Sequence, residues 1–128
     1  MKEVLLECGL DLISIDKKLD TYSKGMRQKV GIAIALAKEA NVYLLDEPAS
    51  GLDPLASTEL SSILKKLSKS GAAILMASHD IFRIRETCDR IGILKNGELV
   101  KEMDTANVST KELENIYIEY MKDWDRRY

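Results

Sequence analysis

The stretch VYLLDEPASGLDP, Val42 to Pro54, decides how this chain is read. Its first four residues are apolar without alternation and too few for a helix, the pattern of a strand buried on both faces of a parallel sheet. Two carboxylates, Asp46 and Glu47, stand where that strand runs out. Asp53 followed by Pro54 then opens a helix, with a capping carboxylate and a ring fixed at helical φ. That helix is predicted to run from Pro54 to about Lys69 and to stop at Ser70 and Gly71. AAILMAS, Ala72 to Ser78, repeats the buried-strand pattern, so strand, helix and strand make a parallel crossover, right-handed by the general rule. His79 follows at the exit of the second strand. Ligands of open parallel sheets bind beyond the carboxyl ends of the strands, where Asp46, Glu47 and His79 all fall.

Working outward, Lys2 to Cys8 reads as the end of a helix with Gly9 as its left-handed stop. From Ser23, an N-cap residue, SKGMRQKVGIAIALAKEA places Met26, Val30, Ala33, Ile34 and Ala37 on one helical face, ending near Ala40 with Asn41 after it. Beyond His79 a short helix, Ile81 to Thr87, leads to RIGILKNGELVKEM, whose Asn96-Gly97 pair predicts a two-residue type I′ hairpin. Ser109 with Glu112 makes a capping box, and Val108 can staple to Leu113. Leu113, Ile116, Tyr117, Tyr120, Met121 and Trp124 then form the predicted buried stripe of a last helix. The fold class is α/β.

The 128 residues suit one domain, with 45% hydrophobic and 31% charged residues, a globular composition. A net charge of -2 argues against a nucleic-acid partner. The longest apolar run, GIAIALA from Gly31, falls far short of the ~20 residues a membrane span needs. Met1 is followed by KEVLLECGL, which lacks the basic start and cleavage site of a secretory signal, so a cytoplasmic location is expected. Cys8 and Cys88 are no disulfide framework and are expected to be buried, inert thiols.

Adjacent positions at a strand exit point in different directions, so one carboxylate can serve a hard metal such as Mg²⁺ through water while the other addresses an attacking water. That division of labour suits phosphoryl transfer to water. A DE pair after a strand is by itself more often a solvated turn, and a lone histidine more often structural. The pieces nevertheless occur together in one order: YSKGMRQKV, VYLLDEP, SGLD and ILMASHD. In this order the whole chain resembles the second half of an ATP-binding cassette (ABC) ATPase, the motor subunit of ABC transporters.

The resemblance implies a partial P-loop NTPase (RecA-like) parallel sheet with part of the ABC helical subdomain. Residues 1–40 would belong to the signature subdomain, and residues 41–128 to the C-terminal part of the ATPase core. It implies that Asp46 is the Walker B carboxylate holding Mg²⁺ through water, that Glu47 is the general base, and that His79 is the switch histidine reaching the γ-phosphate. Ser50, Gly51, Leu52 and Asp53 look like the D-loop facing a partner subunit. Ser23, Lys24, Gly25 and Met26 look like the signature motif, which meets the ATP of the opposite subunit. The family's usual LSGGQ is YSKGM here, with Lys24 at the first glycine and Met26 at the glutamine, a variant similar to exporter-like systems. ATP and Mg²⁺ are the implied cofactors. A second ATPase subunit, identical or not, and a transmembrane permease are the implied partners, with the protein peripheral at the inner face of the membrane.

A GxxxxGK[ST] loop, needed to cradle the phosphates, does not occur in the chain. The chain is therefore expected to be a C-terminal fragment, inactive alone. Lacking the central strand that the resemblance implies, it is expected to oligomerise rather than close its sheet within one copy. Two other readings stand beside this one. One is a soluble ABC ATPase outside transport, and the other is a non-enzymatic interaction module that lacks Walker A.

Overall fold

The computed structural model describes residues 2–125, apart from the side chains of residues 12, 13, 19 and 123–125. The chain divides into two compact units, Met1–Ser78 and His79–Tyr128.

The first unit begins with helices α1 (Lys2–Glu7) and α2 (Leu12–Ile15) and a 3₁₀ turn over Leu19–Thr21. Gly9, at φ +81, ends α1 as expected. Its N–H donates to Leu6 O and that of Leu10 to Leu5 O, the paired bonds of a Schellman stop. Helix α3 (Lys24–Ala37) follows Ser23, whose Oγ accepts the Met26 N–H at 3.2 Å. It ends earlier than Ala40. Lys38 tightens the last turn onto Ala35 O and Leu36 O, and Glu39, at φ +48, rather than Asn41, follows the helix end. Of the predicted apolar face, Ala33 is fully buried, Met26 and Val30 half-buried, and Ile34 and Ala37 exposed.

Strand β1 (Val42–Asp46) pairs in parallel with β2 (Ala73–Ala77), in register from Val42 opposite Ala73 to Asp46 opposite Ala77. Helix α4 (Pro54–Lys69) connects them, with the bounds read from Asp53-Pro54 and Ser70-Gly71. Burial of these strands on both faces is not what the unit shows. Tyr43 is buried, but Val42 is 61%, Leu44 75% and Leu75 71% exposed. The reason is layering: a parallel sheet hides both faces only with helices on both, and α4 packs on β2 to cover one set of alternate side chains. The interior is formed instead by Cys8, Leu10, Tyr22, Ala33, Tyr43, Ala56, Leu60 and Leu64. The Tyr22 hydroxyl is satisfied there by the Ser14 carbonyl.

The second unit holds helix α5 (Ile81–Thr87), the hairpin of β3 (Arg90–Lys95) and β4 (Glu98–Asp104), a 3₁₀ turn over Thr105–Asn107, and helix α6 (Thr110–Asp125). Asn96 (φ +54) and Gly97 (φ +78) make the expected type I′ turn, and a bulge lies at Ile93/Leu94. Glu112 Oε2 accepts the Ser109 N–H at 2.7 Å while Ser109 Oγ accepts the Glu112 N–H at 3.2 Å, completing the capping box. Ile91, Val108 and Leu113 form the core, with Ile81, Ile84, Met103 and Ile116 against it. Along the predicted stripe of α6, burial fades: Tyr120 and Met121 are half-buried, Tyr117 is exposed, and Trp124 lies outside the described side chains. Among the described residues the strands form two separate two-stranded sheets, β1 with β2 and β3 with β4.

Both cysteines are free. Burial, with a smaller push from Glu7 against the pull of Lys29, raises the Cys8 thiol to about 11. Burial and the neighbouring Asp89 raise that of Cys88. Both therefore remain protonated near neutrality, which suits inert thiols.

Candidate functional site

The carboxylates stand at the sheet's C-terminal end because β1 stops there. Asp46 is the last residue of the ladder, opposite Ala77, and its side chain is exposed. One residue on, the Glu47 N–H donates to the Ala77 carbonyl at 2.9 Å while the backbone swings to φ +45. That left-handed conformation is uncommon for a residue with a Cβ and marks the point where the chain leaves the sheet. The turn after it is tied locally: Ser50 N–H donates to Glu47 O at 3.0 Å, and Leu52 N–H to Ala49 O at 3.1 Å. Pro48 is buried, and Gly51 takes φ +79. Asp53 closes the segment as the cap of α4, its Oδ1 accepting the Ala56 N–H at 2.8 Å.

Helix α3 comes to this same turn. A Cβ on Gly25 would stand 2.8 Å from Gly51 O, and one on Gly51 would meet the aliphatic stem of Lys24 at 3.1 to 3.3 Å. Glycine is therefore required at residue 25 by close backbone approach, and at residue 51 by φ as well. Gln28 Nε2 donates to the Pro48 carbonyl at 2.7 Å. The first unit thus brings Lys24, Gly25 and Gln28 against Pro48 and Gly51, in the turn that follows the two carboxylates. Ser23 remains exposed at the helix start, where backbone N–H groups and the helix dipole favour an anion.

His79 is the first residue of the second unit and is exposed. Asp80 beside it caps α5, accepting the Arg83 N–H at 3.0 Å. Sequence reasoning missed Gln28. The signal was present, because Gly25, Gln28 and Ile32 share one face of α3 at spacings of three and four, and a glutamine in line with a glycine and an isoleucine calls for a buried partner.

Among the described residues no group of three or more His, Cys, Asp and Glu side chains gathers to hold a metal. The exposed Asp46 fits a hydrated Mg²⁺, which takes one or two carboxylates and completes its shell with water and phosphate oxygens. A cavity between α1, α3 and α4, lined by Cys8, Lys29, Leu52 and Leu60 among others, measures about 10 Å³, room for one water and not for a nucleotide.

Residues 17–84 match the family model described as "AAA domain, putative AbiEii toxin, Type IV TA system". The fructose import ATP-binding protein FruK of Bifidobacterium longum is 40% identical over 112 residues, 88% of this chain and 22% of its own. The bacitracin transport ATP-binding protein BcrA of Enterococcus faecalis is 36% identical over 108 residues, 80% of this chain and 35% of its own. The chain thus spans about a fifth to a third of the length of these relatives. Among solved structures, the ATP-binding cassette MJ0796, in a dimeric post-hydrolysis state bound to ADP and Pi, superposes with a TM-score of 0.76. It is 31% identical, over 81% of this chain and 45% of that one.

Proposed function

The chain belongs to the ATP-binding cassette ATPases of the P-loop NTPase fold, and on that premise we propose that it forms the signature-to-hairpin part of the ATPase subunit of an ABC transporter. Residues 1–40 belong on this reading to the signature subdomain and residues 41–128 to the ATPase core. The phosphate-cradling loop is supplied by residues outside these 128.

The observation that supports it best is the seating of the start of α3 on the turn that follows Asp46 and Glu47. Asp46 holds Mg²⁺ through water, and the metal supplies charge neutralisation at the phosphates. Glu47, on a backbone pinned to Ala77, accepts the proton of the attacking water, and His79 contacts the γ-phosphate. Ser23, with Lys24, Gly25 and Met26, presents hydroxyl and helix-start N–H groups to the ATP of a second cassette. Asp53 ends the loop facing that cassette. The pairing draws support from MJ0796, a dimer bound to ADP and Pi. A transmembrane permease, and a place at the cytoplasmic face of the membrane, draw support from the relatives named for transport. Relatives named for import and for bacitracin transport match at similar identity, so the proposal carries no direction.

The test is Glu47→Gln in the protein carrying the phosphate-cradling loop. ATP binding should persist while phosphate release falls by about 10² or more. Turnover within a few-fold of wild type would remove Glu47 from the role of base. The family model's own description favours a second reading, a soluble ABC-type ATPase acting outside transport. Co-purification with a membrane permease separates the two.

A further inference from the structure

Gln28 reaches out of α3 to a main-chain group that has no other place in the turn's local bonding. Proline has no N–H, so the carbonyl of Pro48 is that residue's one main-chain hydrogen-bonding group, and Gln28 Nε2 takes it at 2.7 Å in a partly buried setting. Immediately before it stands Glu47, left-handed at φ +45. A residue with a Cβ holds such a conformation only where its surroundings over-determine it. Here the surroundings do so: Ala77 O accepts the N–H of Glu47, Ser50 N–H donates to its carbonyl, and Gln28 holds the next carbonyl along. One turn earlier on the same face of α3, Gly25 lies against Gly51 O, and the Lys24 stem covers Gly51. The turn is clamped from α3 at both its ends.

We infer that Gln28 is a positioning residue: by fixing the Pro48 carbonyl to α3 it holds the left-handed backbone from which the Glu47 carboxylate projects, and it makes the Ser23 end of α3 and the Glu47 turn move as one body. This rests on the reading of Glu47 as the base. Gln28 touches neither nucleotide nor water. The bond it makes is neutral and partly buried, and its loss alters the local opening equilibrium by about two- to tenfold.

Three substitutions separate the donor from the shape. Gln28→Met keeps length and volume without a donor, Gln28→Glu sets an acceptor against the carbonyl, and Gln28→Lys restores a long donor. The first measurement needs no ATP: amide hydrogen exchange at Ser50 and Leu52, whose N–H groups close the turn. Exchange there should quicken about two- to tenfold in Gln28→Met and Gln28→Glu and return toward wild type in Gln28→Lys, with the β1 and β2 amides unchanged. Unchanged exchange at Ser50 and Leu52, or an equal rise over the whole unit, overturns the inference. In the protein with its phosphate-cradling loop, Gln28→Met should lower kcat by the same two- to tenfold with KM for ATP within twofold. If Glu47→Gln abolishes hydrolysis while Gln28→Met leaves kcat untouched, the positioning role is refuted. If neither changes kcat, the assignment of Glu47 as base has failed.

Discussion

Two glycines of α3 offer a controlled experiment on the contact that organises the site. Gly31 has nothing within 4 Å of a Cβ built on it, whereas the same atom on Gly25 would lie 2.8 Å from the backbone oxygen of Gly51. Replacing a helical glycine by alanine gains about 0.4–1 kcal/mol through the unfolded chain's lost freedom. Gly31→Ala should show that gain. In Gly25→Ala the gain meets an overlap with a backbone atom, which no rotamer change relieves, and overpacking of this kind costs about 1–3 kcal/mol. The net effect is a loss on the order of 1 kcal/mol, and the two variants should differ by about 1–3 kcal/mol. Urea unfolding followed by far-UV circular dichroism, with equal slopes required, measures the difference. If Gly25→Ala proves as stabilising as Gly31→Ala, α3 does not sit on the turn and the clamp described above is wrong.

Asp53→Ala removes the cap that accepts the Ala56 N–H, so the urea midpoint should fall by the equivalent of about 1 kcal/mol, while Asp53→Asn keeps most of it. Cys8, raised from 9.0 to about 11, should react with a thiol reagent at pH 8 roughly a hundredfold more slowly than an unperturbed thiol, because only the thiolate attacks. Its folded-state value lies above the unfolded one, so its contribution to stability is whole below pH 9.0 and is lost as pH rises toward about 11. Cys8→Ser should flatten stability across that window, which pH-dependent urea titration reads directly.

Local signals were legible where one or two residues settle a conformation by themselves. Asp53-Pro54 and Ser70-Gly71 bounded α4, Asn96-Gly97 set the hairpin, and Ser109 with Glu112 started α6. The motif order from Ser23 to His79 likewise carried the family, since each piece is short and its spacing is set by the elements between. What was not legible depends on atoms distant in sequence. The apolar runs of β1 and β2 look alike whether one face or two is covered, and only the layer actually packed on them shows Leu44 and Leu75 exposed. The approach of Gly25 to Gly51 and the bond from Gln28 to Pro48 join residues twenty or more positions apart; the face of α3 calls for a partner, but no local pattern names which one.

The left-handed backbone at Glu47 sets two kinds of selection against each other. Glycine, and next asparagine, suit φ +45 better than any residue with a long side chain. A library screened for folding alone would drift at that position toward the residue the backbone prefers, whereas on the proposed role of Glu47 as base one screened for turnover would be held at the carboxylate. On that proposed role, and in the protein carrying the phosphate-cradling loop, position 47 is where the first library should lose activity earliest, while the protein that loses it folds no worse.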